Sequence, residues 1–274
     1  MKFSKYQALG NDYLTIKPAE WHGEPGDQVI RRVCDRHYGA GADGILYGPL
    51  DSDACDFRLQ IFNPDGSEAE KSGNGLRIFS RYLWDLGLVQ SEPFSIETKG
   101  GAVEATVLAA GGLVSVRMGV VKFAHSNRDN ACPDPERLAI EDQRFEFFRA
   151  NVGNPHCVIP MREVSAALAS KYGPLIERNP LFPDRTNVQF LQVVNRKAIN
   201  IQIWERGAGY TLASGSSSVA SAAVAHALGL CDNKVTVSMP GGLIDISFDH
   251  RLMATMTGTV GKVCEGILSV EALE

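Results

Sequence analysis

The sequence predicts an α+β fold of two pseudo-symmetric domains, each a barrel-like, mostly antiparallel sheet around a central helix. Three observations predict it. The first is an internal repeat in the 274-residue chain. Gly10-Asn11 recurs as Gly153-Asn154, Ile61-Phe62-Asn63 as Ile203-Trp204-Glu205, and Ser72-Gly73 as Ser214-Gly215. Leu86-Gly87-Leu88 recurs as Leu228-Gly229-Leu230 and Gly100-Gly101 as Gly241-Gly242, all at offsets of 141 to 143. Matches in one order at a nearly constant offset mark a duplicated unit. The second is an alternating segment before a glycine-rich loop in each copy. The third is a helix pattern after each loop, followed by short strands.

The alternating segments are Phe57, Leu59, Ile61 and Ile199, Ile201, Ile203, with the period of half-buried strands. In the first copy Leu76, Phe79, Leu83 and Leu86 share a helical face, and Gly87 supplies the stop. In the second, Val219 to Leu228 is apolar nearly all round, broken by Ser221 and His226, as in a buried helix. Short strands follow around a Gly-Gly turn: Phe94 to Glu97 and Val103 to Val107, then Val235 to Met239 and Leu243 to Phe248. Many short strands with one buried helix suggest a curved sheet wrapped around it. The expected domains are residues 1–122 and 123–263, with the tail 264–274 returning to the first. The polar stretch His125 to Asp142 is the expected join.

With 27 Lys and Arg against 32 Asp and Glu, the net charge is −5 without a basic block, which gives no reason to expect a nucleic-acid partner. No run of about 18 apolar residues exists, so no membrane span is expected. Gly10-Asn11-Asp12 comes too early for the apolar part of a secretory leader. The six cysteines (Cys34, Cys55, Cys132, Cys157, Cys231, Cys264) are scattered, and scattered cysteines read as reduced thiols in a cytoplasmic protein. No metal or organic cofactor is implied: there is no paired Cys/His spacing, no P-loop and no lysine placed for a Schiff base.

The chemistry sits in the two loops. Each puts a serine, Ser72 or Ser214, before a glycine at a helix start, where backbone N–H groups can bind a carboxylate. A serine N-cap on an ordinary helix is the plain explanation for one such loop. Two equivalent caps, one per copy, instead suggest an anion site with a side chain on each face, suited to moving a proton off one side of a carbon and onto the other.

Phe3-Ser-Lys-Tyr-Gln-Ala-Leu-Gly-Asn-Asp-Tyr, Gly41-Ala-Asp-Gly, Asn63-Pro-Asp-Gly-Ser-Glu, Ser72-Gly-Asn-Gly-Leu-Arg, Gly153-Asn-Pro-His, Thr186-Asn-Val and Glu205-Arg-Gly-Ala-Gly together resemble the diaminopimelate epimerase family across essentially the whole chain. The resemblance implies a cofactor-independent isomerase that interconverts LL- and meso-diaminopimelate at the α-carbon with two bases, one from each domain, and that pairs as a homodimer. By position, it implies that Asn11, Asn63, Asn154, Asn187 and Arg206 bind substrate. It implies that Gly73, Asn74, Gly215 and Ser216 hold the reacting carboxylate, and that His156 and Glu205 assist catalysis. Asn and Arg suit this, since Arg clamps a carboxylate and Asn both donates and accepts. Met alone, each could be a turn former.

The bases depart from the pattern. The family uses cysteine where this chain has Ser72 and Ser214. A thiol ionises near ~8.5, whereas an alcohol needs a partner to take its proton. Cys157 adjoins His156 but points away from it in an extended segment and reads as packing. Three explanations stand: introduced serines that permit binding without turnover, a natural branch whose serines are activated by His156 and Glu205 on diaminopimelate or another amino acid, or a natural branch that only binds. Ser216-Ser217-Ser218-Val219 and Tyr210 also depart from the family's usual residues, which favours a natural branch. A scaffold protein would not need these pocket residues, and the related proline-racemase architecture matches them less closely.

Overall fold

The computed structural model describes residues 1–21, 25–124, 132–141 and 143–273. The chain separates into two compact units, Met1–Val116 with Gly258–Glu274, and Arg117–Thr257. It opens with β1 (Lys2–Ala8), β2 (Asn11–Ile16), α1 (Asp27–Cys34), β3 (Ile45–Leu50), β4 (Phe57–Phe62) and β5 (Glu68–Ala69). Then come α2 (Gly73–Asp85), β6 (Phe94–Thr98), β7 (Gly101–Leu108) and β8 (Leu113–Val120). The second unit carries β9 (Lys122–Phe123), β10 (Glu136–Ile140), β11 (Gln143–Asn151), β12 (Pro155–Pro160), α3 (Ala166–Glu177), β13 (Asn187–Asn195), β14 (Ala198–Glu205) and β15 (Gly209–Thr211). It continues through α4 (Gly215–Ala227), β16 (Lys234–Met239), β17 (Gly242–Phe248) and β18 (Met253–Thr259), and β19 (Gly261–Ile267) belongs to the first unit.

In the first unit β1 lies antiparallel to β19 and β2, β2 parallel to β3, β3 antiparallel to β4 and β4 parallel to β6. The sheet continues antiparallel through β7 and β8. α2 packs against β1, β2, β3 and β7. These strands come from both ends of that order, so the sheet curls around the helix. α2 earns its central place by burying Leu76, Ile78, Phe79, Tyr82 and Leu83. It ends where Gly87 turns to φ +71, a left-handed conformation that costs glycine little.

The second unit repeats the order. β11 lies antiparallel to β9, β10 and β12, β12 parallel to β13, β13 antiparallel to β14 and β14 parallel to β16, with β17 and β18 following antiparallel. Even the register is copied: Leu14 stands beside Ile45 in the first parallel pair and Cys157 beside Val188 in the second. α4 packs against β11, β12, β13, β14, β16 and β17 and buries Val219, Ala220, Ala222, Ala223, Val224 and Ala225. Small side chains all round let six strands approach one helix closely.

The units change over within β8 and β18, a few residues ahead of the expected 122/123 and 263/264 junctions. Both are continuous strands, and neither crossing falls in a loop. Residues 125–131 and 142 of the expected join lie outside the described residues, and its remainder contains a strand, Glu136–Ile140, paired with β11. Two helices, α1 and α3, have no counterpart in the sequence reading. Cys157 sits buried among Phe145, Phe147 and Phe190, where burial pushes its thiol well up. Among the described residues, no helix is long and apolar enough to cross a membrane.

Candidate active site

Ser72 and Ser214 are the N-caps of α2 and α4, each with extended backbone (φ −134 and −145). Ser72 Oγ accepts the N–H of Gly75 at 3.0 Å, and Ser214 Oγ that of Ser217 at 3.4 Å. A Cβ at Gly75 would lie 3.1 Å from both Leu46 Cδ2 and Ser72 Cβ, so glycine there lets the first turn close tightly on the serine. An anion at either cap meets first-turn N–H groups, which have no acceptor within the helix, and the positive end of the helix dipole. Gly73 and Asn74 in one unit, and Gly215 and Ser216 in the other, occupy those first-turn positions.

In the first unit a directed chain of amides surrounds the cap. The buried Arg77 guanidinium donates to Asn74 Oδ1 at 2.9 Å, Asn74 Nδ2 to Asn11 Oδ1 at 3.0 Å, and Asn11 Nδ2 to Asp43 Oδ2 at 2.8 Å. A cation at one end and a carboxylate at the other fix which way both amides point, because neither end can reverse its role. Burial lowers Arg77 to about 10, so it stays charged at neutral pH. Burial works against the Asp12 carboxylate, but Arg36 and Lys5 outweigh it and hold Asp12 well below the usual carboxylate range. Arg36 also bonds Asp43 at 2.8 Å. Tyr13 brings its phenol oxygen 3.1 Å from Ser72 Oγ. Asn63 ends β4 in a turn of its own, with Nδ2 donating to Ser67 Oγ at 3.0 Å.

In the second unit the Glu205 carboxyl accepts Thr211 Oγ1 at 3.2 Å. Burial raises the Glu205 pKa, and the Ser214 and Thr211 hydroxyls pull it partly back. His156 is buried, with Nε2 2.9 Å from Asn154 Oδ1. Burial pushes its pKa down to about 3, the amide of Gln189 opposing and the charge of Arg206 adding to the shift, so the ring is neutral near pH 7. Among the described residues, no hydrogen bond joins His156 to Ser214, and His156 Nδ1 and Gln189 Oε1 are both buried without one. Asn154 Nδ2 reaches Ser216 Oγ at 3.5 Å, which repeats the Asn74–Asn11 contact of the first unit. Asn187 donates to Pro155 O at 2.9 Å and accepts the Arg206 N–H at 3.1 Å, while the Arg206 side chain bonds Asp184 O at 3.1 Å.

Glu177, at the end of α3, is nearly inaccessible. It accepts Trp204 Nε1 at 2.8 Å and the Gly207 N–H at 3.1 Å, so it grips the turn on both sides of Glu205-Arg206. Met239 Sδ lies 3.5 Å from Ser214 N and 3.2 Å from Ser218 Oγ. The structure therefore brings Asn11, Ser72, Gly73 and Asn74 together in one unit. In the other it brings together Asn154, His156, Glu205, Ser214, Gly215 and Ser216, with Asn187 and Arg206 on the adjoining turn. Asn63 is bonded within its own turn.

Tyr13, Asp43, Arg77, Glu177 and Gln189 escaped the sequence reading. For Tyr13 a signal existed. The repeat that aligns Gly10-Asn11 with Gly153-Asn154 carries Tyr13 onto His156, just as it carries Asn63 onto Glu205. The two serines are thus equivalent in position, and the positions that carry Tyr13 and Asn63 in one unit carry His156 and Glu205 in the other.

The model of the family described as Diaminopimelate epimerase matches residues 3–124 and 148–263. Diaminopimelate epimerase 2 of Nostoc sp. (strain PCC 7120) is 54% identical over 275 residues, spanning 99% of this chain and 96% of that protein. Diaminopimelate epimerase of Moorella thermoacetica is 37% identical over 278 residues, spanning 97% and 98%. Among solved structures, a probable proline racemase from Agrobacterium radiobacter K84 superposes with TM-score 0.74 at 15% identity, over 98% of this chain and 93% of that one. A hydroxyproline epimerase from Agrobacterium vitis gives 0.73 at 15% identity, over 97% and 91%. At that identity the likeness is one of fold.

Proposed function

Because the chain belongs to the diaminopimelate epimerase family, we propose that it converts LL- to meso-diaminopimelate by proton transfer at the α-carbon, for lysine and peptidoglycan precursor synthesis. Ser72 and Ser214 are the proton-carrying groups: one removes the α-proton and the other returns a proton to the opposite face. Asn11, Asn63, Asn154, Asn187 and Arg206 bind the substrate, and the first-turn groups of Gly73, Asn74, Gly215 and Ser216 take the reacting carboxylate.

The observation that carries this reading is the matched pair of helix caps, Ser72 on α2 and Ser214 on α4, each with its hydroxyl at the first-turn N–H groups. An alcohol becomes a usable base when a neighbour accepts its proton as it attacks. When Ser214 takes the α-proton, its own proton passes to the Glu205 carboxylate. The carbanion's carboxylate lies against helix N-terminal N–H groups, which favour the added negative charge. His156, neutral, holds Asn154 and assists as a fixed dipole. The same reading makes the protein a cytoplasmic homodimer. Six free cysteines accord with a reducing compartment, and exposed Val263 and Ile267 on β19 offer an apolar edge to a second copy.

The test is incubation with LL-diaminopimelate in deuterated water. α-Deuterium appears in the product if the serines move protons. Binding of substrate without any deuterium incorporation would overturn the reading and leave a chain that holds the amino acid without turning it over.

A further inference from the structure

By the repeat, the position that carries the Glu205 carboxyl in the second unit carries Asn63 in the first. An amide cannot take a proton at any ordinary pH, and this one is bonded to Ser67. What lies against Ser72 Oγ is Tyr13, at 3.1 Å, with either oxygen able to donate. We propose that Tyr13 is the proton partner of Ser72, an inference that rests on the epimerase reading above.

Geometry supports a dedicated pair. Tyr13 is buried on β2 and its ring edge packs on Gly44, where a Cβ would come 2.7 Å from Tyr13 Cε1. The missing side chain at 44 is what lets the ring stand there. Ser72 Oγ already accepts the Gly75 N–H, so its orientation is fixed while the bond to Tyr13 remains reversible. Charged groups around the pair include Asp12, which adjoins Tyr13 in sequence, Asp43, which accepts from Asn11, and Lys71, which adjoins Ser72. The two carboxylates are taken up by Lys5 and Arg36, and burial lowers the pKa of Lys71.

The chemistry balances. When Ser72 gives its hydroxyl proton to the α-carbanion, the Ser72 O–H bond breaks and a Cα–H bond forms. The Tyr13 phenol proton moves to Ser72 Oγ, leaving a phenolate instead of an alkoxide. In the reverse direction the phenolate takes the Ser72 proton while Ser72 takes the α-proton. The phenol, ionising near ~10 in its ordinary state, sets the acidity of the pair in place of the far weaker alcohol. Solvent restores the phenol proton between turnovers.

Four proteins decide it: the unmodified chain, Tyr13→Phe, Ser72→Cys and the double variant, each assayed for α-deuterium exchange, kcat and KM with diaminopimelate. Tyr13→Phe keeps the ring and loses only the hydroxyl. It is expected to lower kcat by roughly 10²–10⁴-fold, the range of general acid–base assistance, with KM changed less than about two-fold. A thiol carries its own proton chemistry, so in the Ser72→Cys background the same change is expected to cost less than about three-fold. Wild-type kcat in Tyr13→Phe overturns the inference, as does an equal loss in both backgrounds, which marks a packing role. An inert Ser72→Cys overturns Ser72 as the atom that carries the proton, and Tyr13 with it. No exchange in the unmodified chain removes the epimerase reading and this inference together, whereas exchange at the unmodified rate in Tyr13→Phe removes this inference alone.

Discussion

At the scale of single residues, a serine in place of a thiol asks for help, and each serine finds a different helper. For Ser214 the proposed helper is Glu205, whose pKa burial raises, which brings its affinity for a proton nearer to what a base needs. Ser72 has a phenol. A thiol needs less help, because it ionises near ~8.5 and a modest shift at a helix N-terminus yields thiolate at neutral pH. Replacing Ser72 and Ser214 with cysteine together is therefore expected to raise kcat for diaminopimelate by orders of magnitude at unchanged fold, read by the deuterium-exchange rate. A double variant that binds diaminopimelate yet stays inert would show that the pocket is built for another amino acid. The serines, Glu205 and the amides were legible in the sequence because each lies in a local motif. Tyr13, Asp43 and Arg77 were not singled out because their meaning comes from contacts with residues 3 to 59 positions away. Only the repeat, applied one residue at a time, pointed to Tyr13.

At the scale of elements, the central helices and their strands were legible because glycine stops, alternation and an apolar run each mark them. α1 and α3 were not. α1 buries only Ile30, Val33 and Cys34 along eight residues, and α3 carries Gly173 and Pro174 in its last turns, residues that ordinarily weaken a helix. The glycine has a packing reason. A Cβ at position 173 would lie 2.5 Å from Trp204 Cβ and Cγ, atoms fixed to strand β14 that cannot swing aside. α3 thus sits close enough for Glu177 to hold Trp204 and Gly207, and through them the turn bearing Glu205 and Arg206. Gly173→Ala is expected to cost ~1–3 kcal/mol of stability, as overpacking does. It should also lower kcat beyond what stability explains, because the displaced tryptophan is the residue before Glu205. A thermal melt with the exchange assay at low temperature checks both. Lower stability with full activity would mean that Glu205 does not depend on this contact.

At the scale of the whole molecule, duplication was the most legible property, since it needs only the order of matches and no structure. The crossing of the chain from one unit to the other was the least legible, because it occurs inside β8 and β18 where the backbone pattern does not change. Stability against pH also belongs to this scale, and His156 gives it a sign. Burial holds the folded pKa at about 3 against an ordinary 6.5. Above pH ~6.5 the ring is neutral in both folded and unfolded chains and contributes no pH dependence. Between about 6.5 and 3 the unfolded chain binds a proton that the folded chain does not. Stability therefore falls as the pH falls, by up to ~1.4 kcal/mol per pH unit for this one group. Other groups titrate in the same range, so the informative quantity is the difference between the unmodified chain and His156→Gln, which cannot titrate. In urea denaturation, the advantage of the unmodified chain over His156→Gln is expected to shrink by about 1–2 kcal/mol between pH 7 and pH 5. A difference that stays constant over that range would mean that the ring takes a proton as readily inside the fold as outside it. His156 would then carry charge in the site at neutral or mildly acidic pH, and its part in catalysis would be that of a proton donor instead of a neutral dipole.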